Sequence, residues 1–166
     1  MGATIDLHLH TLASDGRLTP TELIQLVAKQ GLKTISITDH DSTEGLAEAY
    51  EAAKEFPDLR IIPGIEMSAD LPGNEVHVLG YFLDYHDVDF QASLTEFRRG
   101  RVDRAQIMVE RLEALGKPVE WERVQHFAGD GSVGRPHIAL AMVEAGYFQE
   151  PKEAFEEYLG NDGLAY

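Results

Sequence analysis

The sequence contains no cysteine among its 166 residues. Disulfides, thiolate metal sites and thiol nucleophiles are therefore excluded, and any bound metal must be held by imidazole and carboxylate groups. Basic residues are also scarce, since 14 Lys and Arg stand against 29 Asp and Glu, for a formal net charge of −15. This charge argues against non-specific binding of duplex nucleic acid. An anionic substrate would need local attraction from bound cations and a few arginines.

Long apolar runs are missing as well. No stretch approaches the ~18 apolar residues of a membrane span, and the first six residues contain no basic segment and already include a charge. We therefore expect a soluble cytoplasmic protein with no membrane partner. With 43% hydrophobic residues, the chain is long enough for one sizeable core.

Strand and helix patterns alternate in the first half of the chain. A period of two over residues 4–10 predicts a strand, and Thr19 to Glu22 form a capping box with proline at the first helical position. The other predicted elements are strands at 34–38, 60–66 and 75–83, and helices from 19 to about 31 and from 41 to about 56. This order predicts an α/β fold with parallel strand pairing.

The second half has a helical pattern, with segments at 90–115, 119–127, 134–145 and 151–159. We therefore divide the chain into an α/β part, residues 1–88, and a helical part, residues 89–166. Four predicted strands are few for a barrel, which normally needs about 200 residues or more.

Metal-ligating side chains recur near the ends of the predicted strands. His8 and His10 are two residues apart on a strand, so both imidazoles project from one face and could hold one metal. In α/β folds the active site collects at the carboxyl ends of the strands. The further candidates near that edge are Asp15, His40, Glu66 and His77. A turn or an ordinary salt bridge would explain each one alone, but four successive strands that each deliver such a group predict a metal cluster.

Two aspartates flank His40 and have other expected roles. Asp39 is placed to orient an imidazole from outside the ligand set. Asp41 precedes the second helix, where capping explains it without metal.

These residues belong to motifs that occur in a fixed order. The motifs are His8-Leu9-His10-Thr11, Ser14-Asp15-Gly16, Pro20, Gly31-Leu32, Ile37-Thr38-Asp39-His40-Asp41, Gly64-Ile65-Glu66 and His77-Val78-Leu79-Gly80-Tyr81. Together they resemble the PHP (polymerase and histidinol phosphatase) family of phosphoesterases. The second half is similar to the helical insertion of small bacterial members that act as nucleoside 3′,5′-bisphosphate phosphatases and 5′-to-3′ exoribonucleases on short RNA. The segments that carry this second likeness are Gly134-Arg135-Pro136-His137, Glu153-Ala154-Phe155 and Tyr158-Leu159-Gly160.

The resemblance implies a distorted (β/α)7 barrel that holds two to three divalent cations, manganese first among manganese, iron, zinc and magnesium. His8, His10 and Glu66 would hold one cation, Glu66 would bridge to a second held by His77, and Asp15 with His40 would hold a third. The family completes these shells with a His-Pro motif and an Asp-x-His motif further along the chain, and this sequence contains neither after residue 86. It therefore resembles the N-terminal part of the barrel with its helical insertion, ending before the last strands.

Arginines on the apolar stripe of the long predicted helix suggest contacts with an anion. Arg101 falls within that stripe and Arg104 at its edge, although pairing with neighbouring carboxylates would also explain them. Arg135 and His137 lie at a predicted helix start, where side chains and free amides could grip a phosphate. The resemblance favours all four as substrate residues.

Three functions are open at this stage. The first is hydrolysis of phosphate esters in nucleoside bisphosphates or short 5′-phosphorylated RNA by metal-activated water, since no serine or cysteine is set beside a base for covalent catalysis. The second is another phosphatase of the same family, such as one for histidinol phosphate. The third is a non-catalytic metal-binding or interaction module.

Overall fold

The structure is a computed structural model, and it describes residues 4–71 and 74–166. The described elements, in chain order, are β1 (Ile5–Leu9), α1 (Pro20–Lys29), β2 (Thr34–Ile37), α2 (Glu44–Ala53), β3 (Arg60–Leu71), β4 (Asn74–Tyr81), α3 (Val88–Ala114), α4 (Trp121–Ala128), α5 (Arg135–Glu144), α6 (Pro151–Ala154) and a π-helical turn (Phe155–Leu159). The α/β class predicted from the sequence is confirmed. No helix in the described ranges is long and apolar enough to cross a membrane.

One sheet contains the four strands in the order β1-β2-β3-β4. β1, β2 and β3 are parallel neighbours, as predicted, but β4 runs antiparallel to β3. Two residues separate these strands in sequence, whereas a parallel connection needs a crossover of a dozen or more, so a hairpin results. The sheet is strongly curled. Its two outer strands approach each other, so that the Tyr81 hydroxyl at the end of β4 donates to the Leu7 carbonyl of β1 at 3.0 Å. The four strands form half of a barrel wall.

Two hydrophobic clusters lie in different parts of the chain. One packs α1 and α2 against one face of the sheet, with Ile24, Ile35 and Leu46 almost fully buried. The other lies within the helical half, where Leu112 and Met142 are fully buried. The opposite face of the sheet is thus left for polar groups. The division into residues 1–88 and 89–166 stays a prediction, although α3 begins at Val88.

Candidate metal centre

Backbone pairing beyond the end of β2 brings two candidate ligands together. His40 and Glu66 form an isolated parallel bridge, in which Asp41 N donates to the Glu66 carbonyl at 3.0 Å and Glu66 N donates to the Asp39 carbonyl at 3.2 Å. Glu66 is only 4% exposed. A carboxylate so deeply buried needs partners that stabilise its charge.

A glycine two residues before Glu66 allows β2 and β3 to approach. A Cβ atom on Gly64 would lie 2.2 Å from Ser36 Oγ and 2.8 Å from Thr38 Cγ2, closer than packed atoms allow. The Gly-Ile-Glu motif therefore has a steric reason for its first residue as well as a chemical reason for its last.

Three imidazoles surround the Glu66 carboxylate. His8 Nε2 and His10 Nε2 each lie 2.8 Å from Oε2, and His77 Nδ1 lies 2.8 Å from Oε1. His8 lies on β1 and His10 directly follows it, and the two share a face because alternate residues of an extended chain do. His77 comes from β4, two residues from the residue that pairs with Glu66. Glu66 is therefore the centre of the cluster.

A second carboxylate, Asp15, extends the cluster from the loop after β1. His10 Nδ1 bonds to Asp15 Oδ1 at 2.7 Å, and His40 Nε2 lies 3.7 Å from Asp15 Oδ2. His40 Nδ1 in turn lies 3.9 Å from Glu66 Oε2. The six sequence candidates thus lie at one edge of the sheet.

Burial and neighbouring charges shift the pKa values of these groups in the metal-free protein. Burial raises the pKa of Asp15, but the hydrogen bond with His10 and the charges of His40 and His10 outweigh it and lower that pKa to about 2. Burial lowers the pKa of His40 to about 4, and the charge of Arg101 adds to this effect. Burial also opposes the shift at Glu66, yet the hydrogen bond from His8 and the imidazole charges lower its pKa. Asp15 and Glu66 are thus ionised and His40 is neutral near pH 7, the states in which these groups bind metals.

Three overlapping groups of side chains present ligand atoms within 4.8 Å of one another. They are His8, His10 and Glu66; His10, Asp15 and His40; and His40, Glu66 and His77. His10 Nε2 and His40 Nδ1 are buried and have no hydrogen-bond partner with acceptable geometry among the described residues. Orphaned buried nitrogens are costly, and a cation would satisfy both. The donor set of imidazole and carboxylate therefore fits divalent cations.

The hydrogen bonds of Asp39 go to the loop after β1. Its carboxylate accepts hydrogen bonds from Thr11 N, Thr11 Oγ1 and Ser14 Oγ, each at 2.7 Å. Asp39 thus anchors the loop that carries Asp15. That it orients an imidazole stays a prediction.

The predicted capping role of Asp41 is also wrong. Thr43 occupies the N-cap position of α2, and Asp41, two residues earlier, has a left-handed backbone conformation with a φ of 49°. Its carboxylate accepts the backbone N–H of Ser68 at 3.0 Å and the Nε–H of Arg101. Both members of the ion pair are buried, Arg101 at 8% and Asp41 at 1% exposure.

Arg101, predicted to bind substrate, is therefore engaged by the protein itself. Besides Asp41, it donates to Ser68 Oγ and, at 3.4 Å, to the Val133 carbonyl. It connects α3 with the loop after β2, with β3 and with the segment before α5. The position of Arg101 on the apolar stripe suggested contact with an anion, and the anion in this structure is the Asp41 carboxylate of the same chain.

His137 is likewise buried, with 4% of its surface exposed. Its Nδ1 accepts the N–H of Gly134 at 3.0 Å, so that amide is unavailable to a phosphate. Burial lowers the pKa of His137, although the Asp15 charge and a hydrogen bond with the Ser14 backbone oppose this. Ser132 N also donates to the Ala13 carbonyl at 3.0 Å, so the segment before α5 is tied to the loop that carries Asp15.

A cavity of about 230 Å³ joins the cluster to the helical half. Asp15, His40 and His77 line it on one side, and Arg104 and Arg135 line it on the other. Arg135 also bonds within the chain, since its Nη1 donates to the Leu159 carbonyl at 3.1 Å and to Asn161 Oδ1 at 3.0 Å.

Ser132 lines the same cavity and was missed by sequence reasoning. Its side chain is 3% exposed, and its Oγ has no hydrogen-bond partner among the residues that the structure describes. Its only local signal, a Gly-Asp-Gly-Ser segment, reads as an ordinary turn.

Comparison with known proteins gives consistent matches. A model of the PHP domain matches residues 6–160. The chain is 38% identical over 165 residues to the 5′-3′ exoribonuclease Rnm of Escherichia coli strain K12, covering 97% of this chain and 55% of that protein. It is 35% identical over 158 residues to the 3′,5′-nucleoside bisphosphate phosphatase of Chromobacterium violaceum, covering 95% of this chain and 55% of that protein. The chain therefore spans about half the length of these relatives.

Solved structures show the same likeness. A structure described as a metal-dependent phosphoesterase from Bifidobacterium adolescentis superposes with a TM-score of 0.87 at 34% identity, covering 98% of this chain and 57% of that one. A structure described as an amidohydrolase from Chromobacterium violaceum, with bound sulfate and no metal, gives 0.88 at 34% identity and the same coverage.

Proposed function

Because this chain belongs to the PHP domain family, we propose that it contributes the metal centre and part of the substrate pocket of a phosphoesterase acting on small phosphorylated nucleotides or short RNA. The observation that carries the proposal is Glu66, a buried carboxylate whose two oxygens lie 2.8 Å from the imidazoles of three different histidines. The relatives named above are an exoribonuclease and a nucleoside bisphosphate phosphatase.

The proposed ligands are the six side chains of the cluster, in the three groups that share His10, His40 and Glu66. Divalent cations bound there, manganese being our first expectation, would neutralise charge on phosphate oxygens and lower the pKa of water. Glu66 belongs to two of the groups, so it would bridge cations. Asp39 and Arg101 would act indirectly, by holding the loops on which Asp15 and His40 lie.

The cavity beside the cluster supplies the proposed substrate contacts. Arg104 and Arg135 line it and would face the phosphate that is not cleaved, since guanidinium groups bind phosphate with directional hydrogen bonds. The unpartnered Ser132 hydroxyl would donate to the same group. Met108, Ile138 and Phe155 add an apolar wall suited to a nucleoside.

A nucleoside 3′,5′-bisphosphate and a short 5′-phosphorylated RNA both fit this arrangement, because each carries a second phosphate near the one to be cleaved. The arginine side of the cavity favours these substrates over esters with a single phosphate. An arginine that contacts only the phosphate that is not cleaved strengthens binding of substrates with a second phosphate and adds nothing for esters with one.

Metal removal combined with one ligand variant tests the proposal. We expect a chelator to abolish phosphate release from a nucleoside 3′,5′-bisphosphate and manganese to restore it. Glu66→Gln should reduce the rate by more than about 100-fold, because even indirect support of a ligand is worth 10 to 100-fold. The measurement is phosphate release at matched protein and metal concentrations.

Glu110→Gln is the matched control, since Glu110 is an exposed glutamate on α3. It should leave the rate unchanged. Full activity after exhaustive chelation, or in Glu66→Gln, would contradict the proposal.

A further inference from the structure

A second cavity, a groove of about 660 Å³, lies between β3 and α3. From α3 it is lined by Glu96, Phe97, Gly100, Arg101 and Arg104, and from the loop after β2 by Asp41. Phe97, Gly100, Arg101 and Arg104 are spaced three, one and three residues apart, which places them on one face of the helix, over nearly two turns. The groove is thus bordered by a continuous stripe of one aromatic, one small and two basic residues.

The aromatic end of the groove is accessible. Phe97 is 47% exposed, and Met67 and Ala69 of β3 add apolar surface opposite it. A ring with an open face beside apolar side chains is a surface on which a planar group stacks. Single-stranded nucleic acid is bound in this way, by an aromatic platform beside positive charge.

Gly100, one turn further along, leaves room in the groove. A Cβ atom built on Gly100 meets no heavy atom within 4 Å. Packing in the protein therefore does not require glycine there, although glycine in a helix interior costs about 1 kcal/mol relative to alanine. The space above Gly100 is available to a ligand.

The groove and the metal-centre cavity share a wall. Arg101 and Arg104 line both. Arg101 is held by Asp41, Ser68 and Val133, so this wall is fixed by the fold. A ligand with a phosphate at the metal centre would reach the groove by passing the Arg104 side chain.

We propose that the groove binds the nucleobase of the second nucleotide of a short RNA. The base stacks on Phe97 above Gly100, and the linking phosphate lies by Arg104. This inference rests on the proposed function, since it places a neighbouring nucleotide at the metal centre. The charge of the groove fits this occupant, because the two carboxylates of its lining are each paired with an arginine, Asp41 with Arg101 and Glu96 with Arg99, and Arg104 adds a positive charge.

Fluorescence of a base analogue tests the proposal directly. The probe is a 5′-phosphorylated dinucleotide with 2-aminopurine as its second base, titrated with the protein in calcium and checked for hydrolysis. Stacking on Phe97 should quench the fluorescence. Adenosine 3′,5′-bisphosphate, which has no second base, is titrated in parallel by calorimetry.

Two variants address the two parts of the groove. Phe97→Ala should weaken dinucleotide binding by roughly 5 to 100-fold, the range of one base–aromatic stack, and abolish the quench. Gly100→Ala should also weaken dinucleotide binding, because its methyl group enters the groove, yet raise Tm by roughly 2 to 4 °C through its better helix propensity. Neither should change the dissociation constant of the bisphosphate by more than about twofold.

Ile107→Ala is the matched control, since Ile107 is also on α3 and is 48% exposed but does not line the groove. It should change neither dissociation constant. If neither groove variant changed dinucleotide binding, the proposed base-binding role of the groove would be wrong. Bisphosphate binding would still support the proposed function in that case. Equal losses for both ligands would make Phe97 structural and likewise overturn the base-binding role. Binding of neither ligand by the unaltered chain would overturn both proposals.

Discussion

At the scale of single residues, buried charge explains why two arginines of the same helix have different roles. Arg101 and Asp41 form an ion pair that is almost fully buried, while Arg99 is 71% exposed and pairs with Glu96 on the helix surface. An ion pair on the surface contributes little to the free energy of unfolding. Removing one partner of a buried pair lowers that free energy, because it leaves an uncompensated charge. Arg101 therefore holds together the loop that carries His40 and the helical half.

We expect Arg101→Met to reduce the free energy of unfolding of the metal-free chain by about 3–5 kcal/mol, because Asp41 would stay buried without its partner. The matched variant Arg99→Met should change it by less than about 0.5 kcal/mol. Urea unfolding followed by circular dichroism measures both. A small effect at Arg101 would show that water reaches Asp41.

At the scale of elements, β4 is the strand whose environment differs most from the others. Val78 is 55% exposed and Val76 36% exposed, on the face opposite His77. β4 is also at one end of the strand order. An edge strand with uncovered apolar side chains favours association with other chains.

We expect the chain to self-associate in a concentration-dependent way, and the double variant Val76→Thr/Val78→Thr to reduce this, since threonine keeps the β-branched shape and adds a hydroxyl. Val88→Thr is the control, because Val88 is even more exposed, at 79%, but lies at the start of α3. Sedimentation velocity over a range of concentrations measures the effect. Association that is equal in all three proteins would place the contact elsewhere.

At the scale of the whole molecule, a few arginines attract anions locally, although the net charge of the chain is strongly negative. The net charge is −15, yet Arg104 and Arg135 converge on the cavity beside the metal cluster. Salt weakens both the long-range repulsion and the local attraction, and these two changes have opposite effects on the affinity for an anion. Binding of a short anion should therefore depend on salt much less than binding by a typical nucleic-acid protein does.

We expect a plot of the logarithm of affinity for a 5′-phosphorylated dinucleotide against the logarithm of salt concentration to have a slope no steeper than about −1.5. Each phosphate neutralised on a single strand contributes about −0.7, and the proposed site contacts two. Titrations at several salt concentrations measure the slope. A slope several times steeper would indicate an extended basic surface that the charge distribution does not suggest.

The sequence by itself determined the elements and the ligand types. Periodicity of two placed His8 and His10 on one face, and capping residues located the start of α1 at Pro20, because both depend on neighbours along the chain. Strand-end positions were sufficient to predict that Asp15, His40 and Glu66 would lie near each other, since parallel strands deliver their ends to one edge, whereas His77 reaches the cluster from the antiparallel β4.

Only the tertiary structure decided how the other polar residues are used. Asp39, Asp41, Arg101 and His137 all contact groups that are distant in sequence, and a pattern along the chain cannot show which partner a long or buried side chain meets. Ser132 gave no local signal because its importance comes from the cavity around it. The antiparallel β4 and the shared wall between the two cavities depend likewise on how the sheet curls and where α3 packs, which are properties of the assembled fold.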